Sequence, residues 1–222
     1  MLLAVVFVVA LALTAFGGQS GKPLGLSSSS FNATQARPFP EIVALRGPVR
    51  LQLPIAQARV TAIGYSAASN ALPLSPVGQQ ANEGLVARVV HGIFGGGGGS
   101  PRWYQLGGGG TNALDVGAQI GTDVYAPVDG VVAAILPFVV MGKQYGSEID
   151  IQPQSSASLV VAVTQLVADP ALTVGSAVVS GATKIGNVVD LASVEQQALA
   201  QYTNDGGNHV TLEVRAAPAT AS

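Results

Sequence analysis

Two histidines, His91 and His209, are all the imidazole this chain carries, and it has no cysteine. A tightly held zinc ion takes imidazole, thiolate or carboxylate donors, so a site built from this chain alone needs both histidines and a carboxylate, or ligands from another chain. Thiol nucleophiles, disulfides, zinc fingers and iron–sulfur clusters are excluded by supply. Phosphate-binding loops find no motif either. Neither glycine run, Gly95 to Gly99 or Gly107 to Gly110, completes Gly-x-Gly-x-x-Gly or leads into Gly-Lys-Ser/Thr. The Gly-x-Ser-x-Gly elbow of serine hydrolases is missing as well. The two runs, which bracket Trp103 and Tyr104, read as connectors or points of close backbone packing.

Charge restricts the partners. Ten basic and twelve acidic residues leave a net charge of -2, with no counterion-release term for a phosphate backbone, so nucleic acid is not an expected partner. At 222 residues, 48% hydrophobic and 10% charged, the chain is long and apolar enough to bury one sizeable core without staples.

The elements that would position a site begin behind a targeting segment. Leu2 to Phe16 is uncharged and apolar in character, and the first charged side chain is Lys22. About twenty apolar residues span a bilayer, whereas a signal h-region needs roughly seven to fifteen, so residues 1–21 read as an export signal or signal anchor. Residues 22–46 read as a Gly, Ser and Pro-rich linker. Within 47–100, Val49 to Leu53 and Ala58 to Tyr65 alternate apolar and polar side chains, which predicts a small β hairpin. From Val77 to Phe94 the period becomes helical: Ala81, Leu85, Val86, Val89, Val90 and Ile93 share one face. His91 falls near the end of that predicted N-terminal helix, where a surface histidine favours the helix dipole.

Beyond Thr111 short β segments follow one another: Thr122 to Ala126, Gly130 to Leu136, Glu148 to Gln152, Ser158 to Leu166, Lys184 to Val189 and His209 to Val214. Turn signals separate them, and one short inserted helix is predicted over Leu191 to Tyr202, packing through Val194, Leu199 and Tyr202 while Glu195, Gln196 and Gln197 face water. The predicted fold is mainly β, a sandwich or partly open barrel, with its β domain at 101–217.

Three phrases in this half carry a resemblance. Gly121 to Val131 reads Gly-Thr-Asp-Val-Tyr-Ala-Pro-Val-Asp-Gly-Val; Val174 to Gly186 reads Val-Gly-Ser-Ala-Val-Val-Ser-Gly-Ala-Thr-Lys-Ile-Gly; His209 to Val214 reads His-Val-Thr-Leu-Glu-Val. Over about residues 103–215 the chain resembles the lysostaphin and LytM family of zinc endopeptidases that cut peptidoglycan cross-bridges on a duplicated hybrid motif β fold. The resemblance implies zinc ligands at a His four places before an Asp, at that Asp, and at the second His of a His-x-His strand. It also implies assisting histidines in a Tyr-x-His-Leu motif and at the first His of that strand. Carried over residue by residue, Asp115 and His209 remain, while Thr111, Gln165 and Thr211 stand where the family has histidine. One of three ligands is left.

Neutral threonine and glutamine are poor zinc donors, so the resemblance implies a scaffold with a vestigial metal residue, Asp115, and a vestigial catalytic residue, His209. Asp115 and His209 are expected to pair, and Thr111, Gln165 and Thr211 to line the same cleft as hydrogen-bonding groups suited to a peptide or glycan amide. No cofactor is expected on this reading, and the expected partner is peptidoglycan or a cell-wall hydrolase. Two alternatives stay open: an active zinc endopeptidase built from His209, Asp115 and His91, and a biotinyl or lipoyl carrier that uses Lys184. Export predicts that the chain fractionates with the secreted material or the cell envelope, with N-terminal membrane association if the signal stays uncleaved; recovery from cytosol with Leu2 to Phe16 intact refutes it.

Overall fold

Runs of β-branched residues separated by glycine and proline build a mainly β fold in the computed structural model, which describes residues 36–82 and 101–218. All of these lie within one unit, Gln35–Ser222. In chain order the strands are β1 (Ile42–Arg46), β2 (Val49–Gln52), β3 (Val60–Ser66), β4 (Ser75–Pro76), β5 (Gln79–Gln80), β6 (Arg102–Gln105) and β7 (Ala113–Ala118). They continue with β8 (Asp123–Tyr125), β9 (Gly130–Val140), β10 (Lys143–Pro153), β11 (Leu159–Ala168), β12 (Ala177–Val178), β13 (Lys184–Val188) and β14 (His209–Ala216).

A small sheet runs β2-β1-β4, and a large one runs β12-β9-β10-β11-β14-β7-β3-β6-β5, with β13 pairing β11 and β8 off that path. The large path ends at β12 and β5, so it does not close into a barrel. The period of two in each strand then divides its residues between two faces. One face carries Leu114, Val116, Ile149, Ile151, Val161, Val163, Leu212 and Val214, which pack with Val43, Val49 and Leu51 of the small sheet and with Val124 and Ile185 of β8 and β13. The other face takes the intervening residues, among them Asp115, Asp150, Thr164, Thr211 and Glu213. A one-residue slip would exchange the two sets, so the apolar pattern pins the register that places the polar ones.

Four expectations change on contact with the structure. Val49 to Leu53 does not pair with the strand that follows it. Instead Gly47, at φ 54, turns β1 into β2, while β3 joins the large sheet beside β7 and β6. Residues 42–46, expected as the end of a linker, are therefore strand β1. Of the predicted helix Val77 to Phe94, residues 77–82 form strand β5 and bends: Gly78 at φ 100 leaves helical backbone and lets the Gln79 amide donate to the Pro101 carbonyl at 3.0 Å. Residues 83–94 lie outside the described residues. The predicted helix Leu191 to Tyr202 shrinks to the 3₁₀ turn Ala198–Tyr202, because Gln197 is extended at ψ 131 and buried rather than facing water. Strand β7, which carries Asp115, had no strand signal of its own beyond its apolar neighbours.

Tyr65 ties the two sheets together. It is fully buried on β3, its phenol donates to the Val43 carbonyl on β1, and its ring meets Trp103 edge-on at 5.0 Å. Burial pushes its phenol pKa well above the ordinary value. Val43 also receives the Val77 amide at 2.9 Å, so its carbonyl keeps a donor if the phenol is lost. Tyr65→Phe is expected to cost about 1 kcal/mol, the net worth of one hydrogen bond, whereas Tyr65→Ala costs about 3–5 kcal/mol through the cavity. Urea unfolding midpoints of the two variants separate these contributions, and equal losses would refute the assignment.

Candidate functional site

The polar face of β7, β14 and β11 brings one charged group and its neutral neighbours together. Register sets Thr211 of β14 directly opposite Asp115 of β7 and opposite Thr164 of β11, while Gly64 of β3 flanks Asp115 on the other side. Asp115 is only 6% exposed, so its carboxylate needs donors from the protein. Thr211 Oγ1 donates to Asp115 Oδ1 at 2.7 Å, and Ser66 Oγ donates to Oδ2 at 3.1 Å. Gln165 Nε2 donates to Thr211 Oγ1 at 3.1 Å. The Thr211 hydroxyl proton is already given to Asp115, so this oxygen can only accept from Gln165, and the amide orientation follows.

His209 completes the cluster. Its Nδ1 lies 2.8 Å from the Gly207 carbonyl and must carry a proton to make that bond. Nε2 then faces Asp115 Oδ1 at 3.6 Å, beyond hydrogen-bond distance, an ion-pair contact only when the imidazole holds its second proton. Gln165 is the strained member. It sits where the pairing of β10 with β11 shifts, at φ 65, a left-handed conformation uncommon for a side chain of its size, and its Oε1 is buried without a partner.

The expected convergence is therefore partial. Asp115, Gln165, His209 and Thr211 line one cleft of about 350 Å³, but Thr111 does not: its hydroxyl donates to the Leu74 carbonyl at 2.7 Å, which turns it into the loop before β7. Ser66, Phe138, Glu195 and Glu213 line the cleft without having been singled out as site residues. Glu213 and Thr211 are two apart on one strand, a spacing that already puts both on one face; Ser66 is reached only through the pairing of β3 with β7. His91 lies outside the described residues. Lys184 opens β13 rather than a hairpin tip, and its ammonium pairs with Asp123 at 2.7 Å, an arrangement unlike an exposed carrier lysine.

One wall of the cleft is the segment from Leu191 to Asn208. Asn208 Oδ1 accepts the amides of Leu191 at 2.9 Å and Ala192 at 2.7 Å, closing the segment on itself. Leu199 then plugs into the sheet over Gly64 and Gly117. A Cβ on Gly117 would stand 2.7 Å from the Leu199 side chain, so a larger residue there would have to displace it.

The zinc that the resemblance implies does not fit these donors. Asp115 and His209 are in place, but the remaining groups around them are hydroxyls and an amide, and Oδ1 and Oδ2 already accept protons. Among the described residues no three His, Cys, Asp or Glu side chains group as a metal would require.

No protein-family model and no curated protein matches the sequence. Solved structures similar to the chain include lysostaphin in solution, at 18% identity and TM-score 0.36, covering 51% of this chain and 39% of lysostaphin. Another is a zinc-containing peptidase from Vibrio cholerae, at 18% identity and TM-score 0.37, covering 73% of this chain and 35% of the peptidase. The chain thus spans well under half the length of either.

Further along the polar face, Arg215 holds Glu148 at 2.6 Å and Glu213 at 2.8 Å. Asp150 lies in the same cross-strand row as Glu213, through Ala162. Burial, and then the neighbouring Glu148 charge, push the Asp150 carboxyl up to about 6, with Arg215 pulling the other way. An acid whose folded pKa is raised binds more protons folded than unfolded, so stability falls as pH rises from about 3.8 to about 6. Asp150→Asn is expected to flatten that part of the curve, read as urea midpoints against pH; an unchanged slope refutes it.

Proposed function

We propose that this chain is an exported cell-envelope protein whose β unit uses a lysostaphin and LytM-type scaffold to bind peptidoglycan without cutting it. The observation that carries the reading is the saturation of Asp115 by Thr211 and Ser66. At the position where the family sequence pattern places a zinc carboxylate, this chain places a carboxylate already satisfied by hydroxyl protons. Hydrolysis by that route requires an activated water on a metal held by three protein donors; Thr111 and Thr211 replace two of those donors with neutral groups, and Gln165 replaces an assisting imidazole.

The cleft suits binding on other grounds. Glu195 and Glu213 offer acceptors around a half-open cavity, and a ligand rich in amide or ammonium N–H groups complements them. A peptide stem or cross-bridge is such a ligand. Regulation of a hydrolase would use the same cleft, occupied by a peptide of that enzyme instead. The apolar run Leu2 to Phe16 supports export.

Zinc titration of the purified chain followed by elemental analysis is expected to leave no stoichiometric metal, and co-sedimentation with purified peptidoglycan is expected to retain the chain while releasing no cross-bridge fragments. Gln165→Ala together with Glu213→Ala should lower the retained fraction. About one zinc per chain that disappears in His209→Ala would overturn the noncatalytic reading in favour of an endopeptidase.

A further inference from the structure

The β9–β10 hairpin runs past the sheet that carries it. β11 pairs β10 only as far as Ser147, and β12 pairs β9 only at Gly130 and Val131, so the end of the ribbon is held by its own two strands. Met141 at φ 49 and Gly142 at φ 78 close it as a two-residue turn with both φ values positive. From Ile135 to Tyr145 the sequence is Ile-Leu-Pro-Phe-Val-Val-Met-Gly-Lys-Gln-Tyr, with one cation and no acid.

Its apolar side chains are exposed in an unusual distribution. Met141 at the apex is 88% exposed, Val139 is 52% and Leu136 is 46%. At the tip itself Val139 and the half-buried Val140 are neighbours on one strand and so stand on opposite faces of the ribbon. A groove on a protein covers one face of a hairpin, whereas an apolar medium that surrounds the tip covers both faces and the apex. Addition of a strand from a second copy is opposed by Pro137, which has no amide to give on this edge strand.

Behind the apex the chemistry changes. The Lys143 ammonium lies 5.0 Å from the centre of the Tyr145 ring. A cation and a phenol just below an apolar tip are the groups that sit at the boundary between acyl chains and lipid headgroups. From Val139 to the apex at Met141 the ribbon is about 7 Å long at roughly 3.3 Å per residue. That length matches the roughly 5–10 Å to which interfacial elements enter a bilayer. The chain also supplies its own tether, since Leu2 to Phe16 precedes a linker whose residues reach at most ~3.5 Å each.

We propose that the β9–β10 tip inserts into the surface of an anionic lipid bilayer, with Val139 and Met141 among the upper acyl chains and the Lys143 and Tyr145 side chains reaching back to the headgroups. Phe138 of the same hairpin lines the cleft, so insertion sets the cleft beside the membrane surface. This membrane contact stands or falls separately from the cleft's ligand.

Because the chain has no cysteine, Met141→Cys gives a unique position for an environment-sensitive fluorophore on the full chain. In vesicles of phosphatidylglycerol and phosphatidylcholine, the label is expected to shift its emission to the blue and to lose quenching by aqueous iodide. The same label at Ser155→Cys, at the opposite end of β10, should stay aqueous, and adding Val139→Asp to the Met141→Cys chain should abolish the shift. A chain that floats with vesicles through its N-terminal segment while the Met141 label remains aqueous overturns the proposal. So does a label that becomes shielded without lipid as protein concentration rises, which would assign the tip to a second copy.

Discussion

A carboxylate buried in a β-sheet has to be neutralised or hydrogen-bonded, and the polar half of this molecule is organised by that requirement. Asp115 obtains its donors from β3 and from β14, the strands on either side of its own. Either strand displaced by one residue would turn Ser66 or Thr211 toward the apolar core and leave the charge unsatisfied. The register of three strands is therefore fixed twice, once by the hydrophobic face and once by Asp115. Both constraints agree, which is the condition for a sheet with a single stable pairing.

The same pair of constraints explains how a cleft is held open over a sheet that is buried on both faces at β7. The segment from Leu191 to Asn208 needs an anchor on the polar face, and polar side chains offer poor packing. Gly64 and Gly117 solve this by removing side chains beside Asp115, so that Leu199 seats directly on backbone and joins Ala62 and Leu106 in a second small core. Tyr104 stacks on Tyr202 at 4.2 Å and extends that core towards the surface. With the segment held at Leu199 and, through Asn208, at Leu191, the stretch between Leu191 and Leu199 presents Glu195 to the cleft.

Legibility in the sequence followed the distance over which each signal acts. Strands β9 to β11, β13 and β14 were legible because alternation and turn residues are local, and the boundaries moved only by the length of the β9–β10 ribbon. The order of β1 to β3 was not, since hairpin logic pairs a strand with its nearest neighbour and Pro54 carries the chain across to the other sheet instead. Leu191 to Tyr202 looked helical by composition, but Gln197 is buried in extended backbone, and no local pattern announces the Asn208 side chain, seventeen residues away, that holds the Leu191 amide. At the site, Asp115, Thr211 and His209 were readable from a motif written on adjacent strands. Thr111 was misplaced because four residues of extended chain carry it to the end of the strand, where the Leu74 carbonyl claims it. Ser66 had no signal in one dimension at all.

The neutral groups around Asp115 form a closed exchange of protons rather than a damaged version of a metal site. Thr211 can serve Asp115 only because it has one proton to give and a lone pair left for Gln165; an imidazole at 211 in place of the hydroxyl would bring a bulkier ring against a carboxylate that has no room to retreat. Gln165 in turn reaches Thr211 only from its left-handed backbone, a conformation that costs on the order of 1–3 kcal/mol and persists where the surroundings over-determine it. It leaves the Gln165 Oε1 buried without a partner. The hydroxyl protons of Ser66 and Thr211 and one amide proton of Gln165 are thus committed within the cluster. On the proposed reading, binding is thus what remains when the chemistry of cleavage is replaced one residue at a time by hydrogen bonds that satisfy each other.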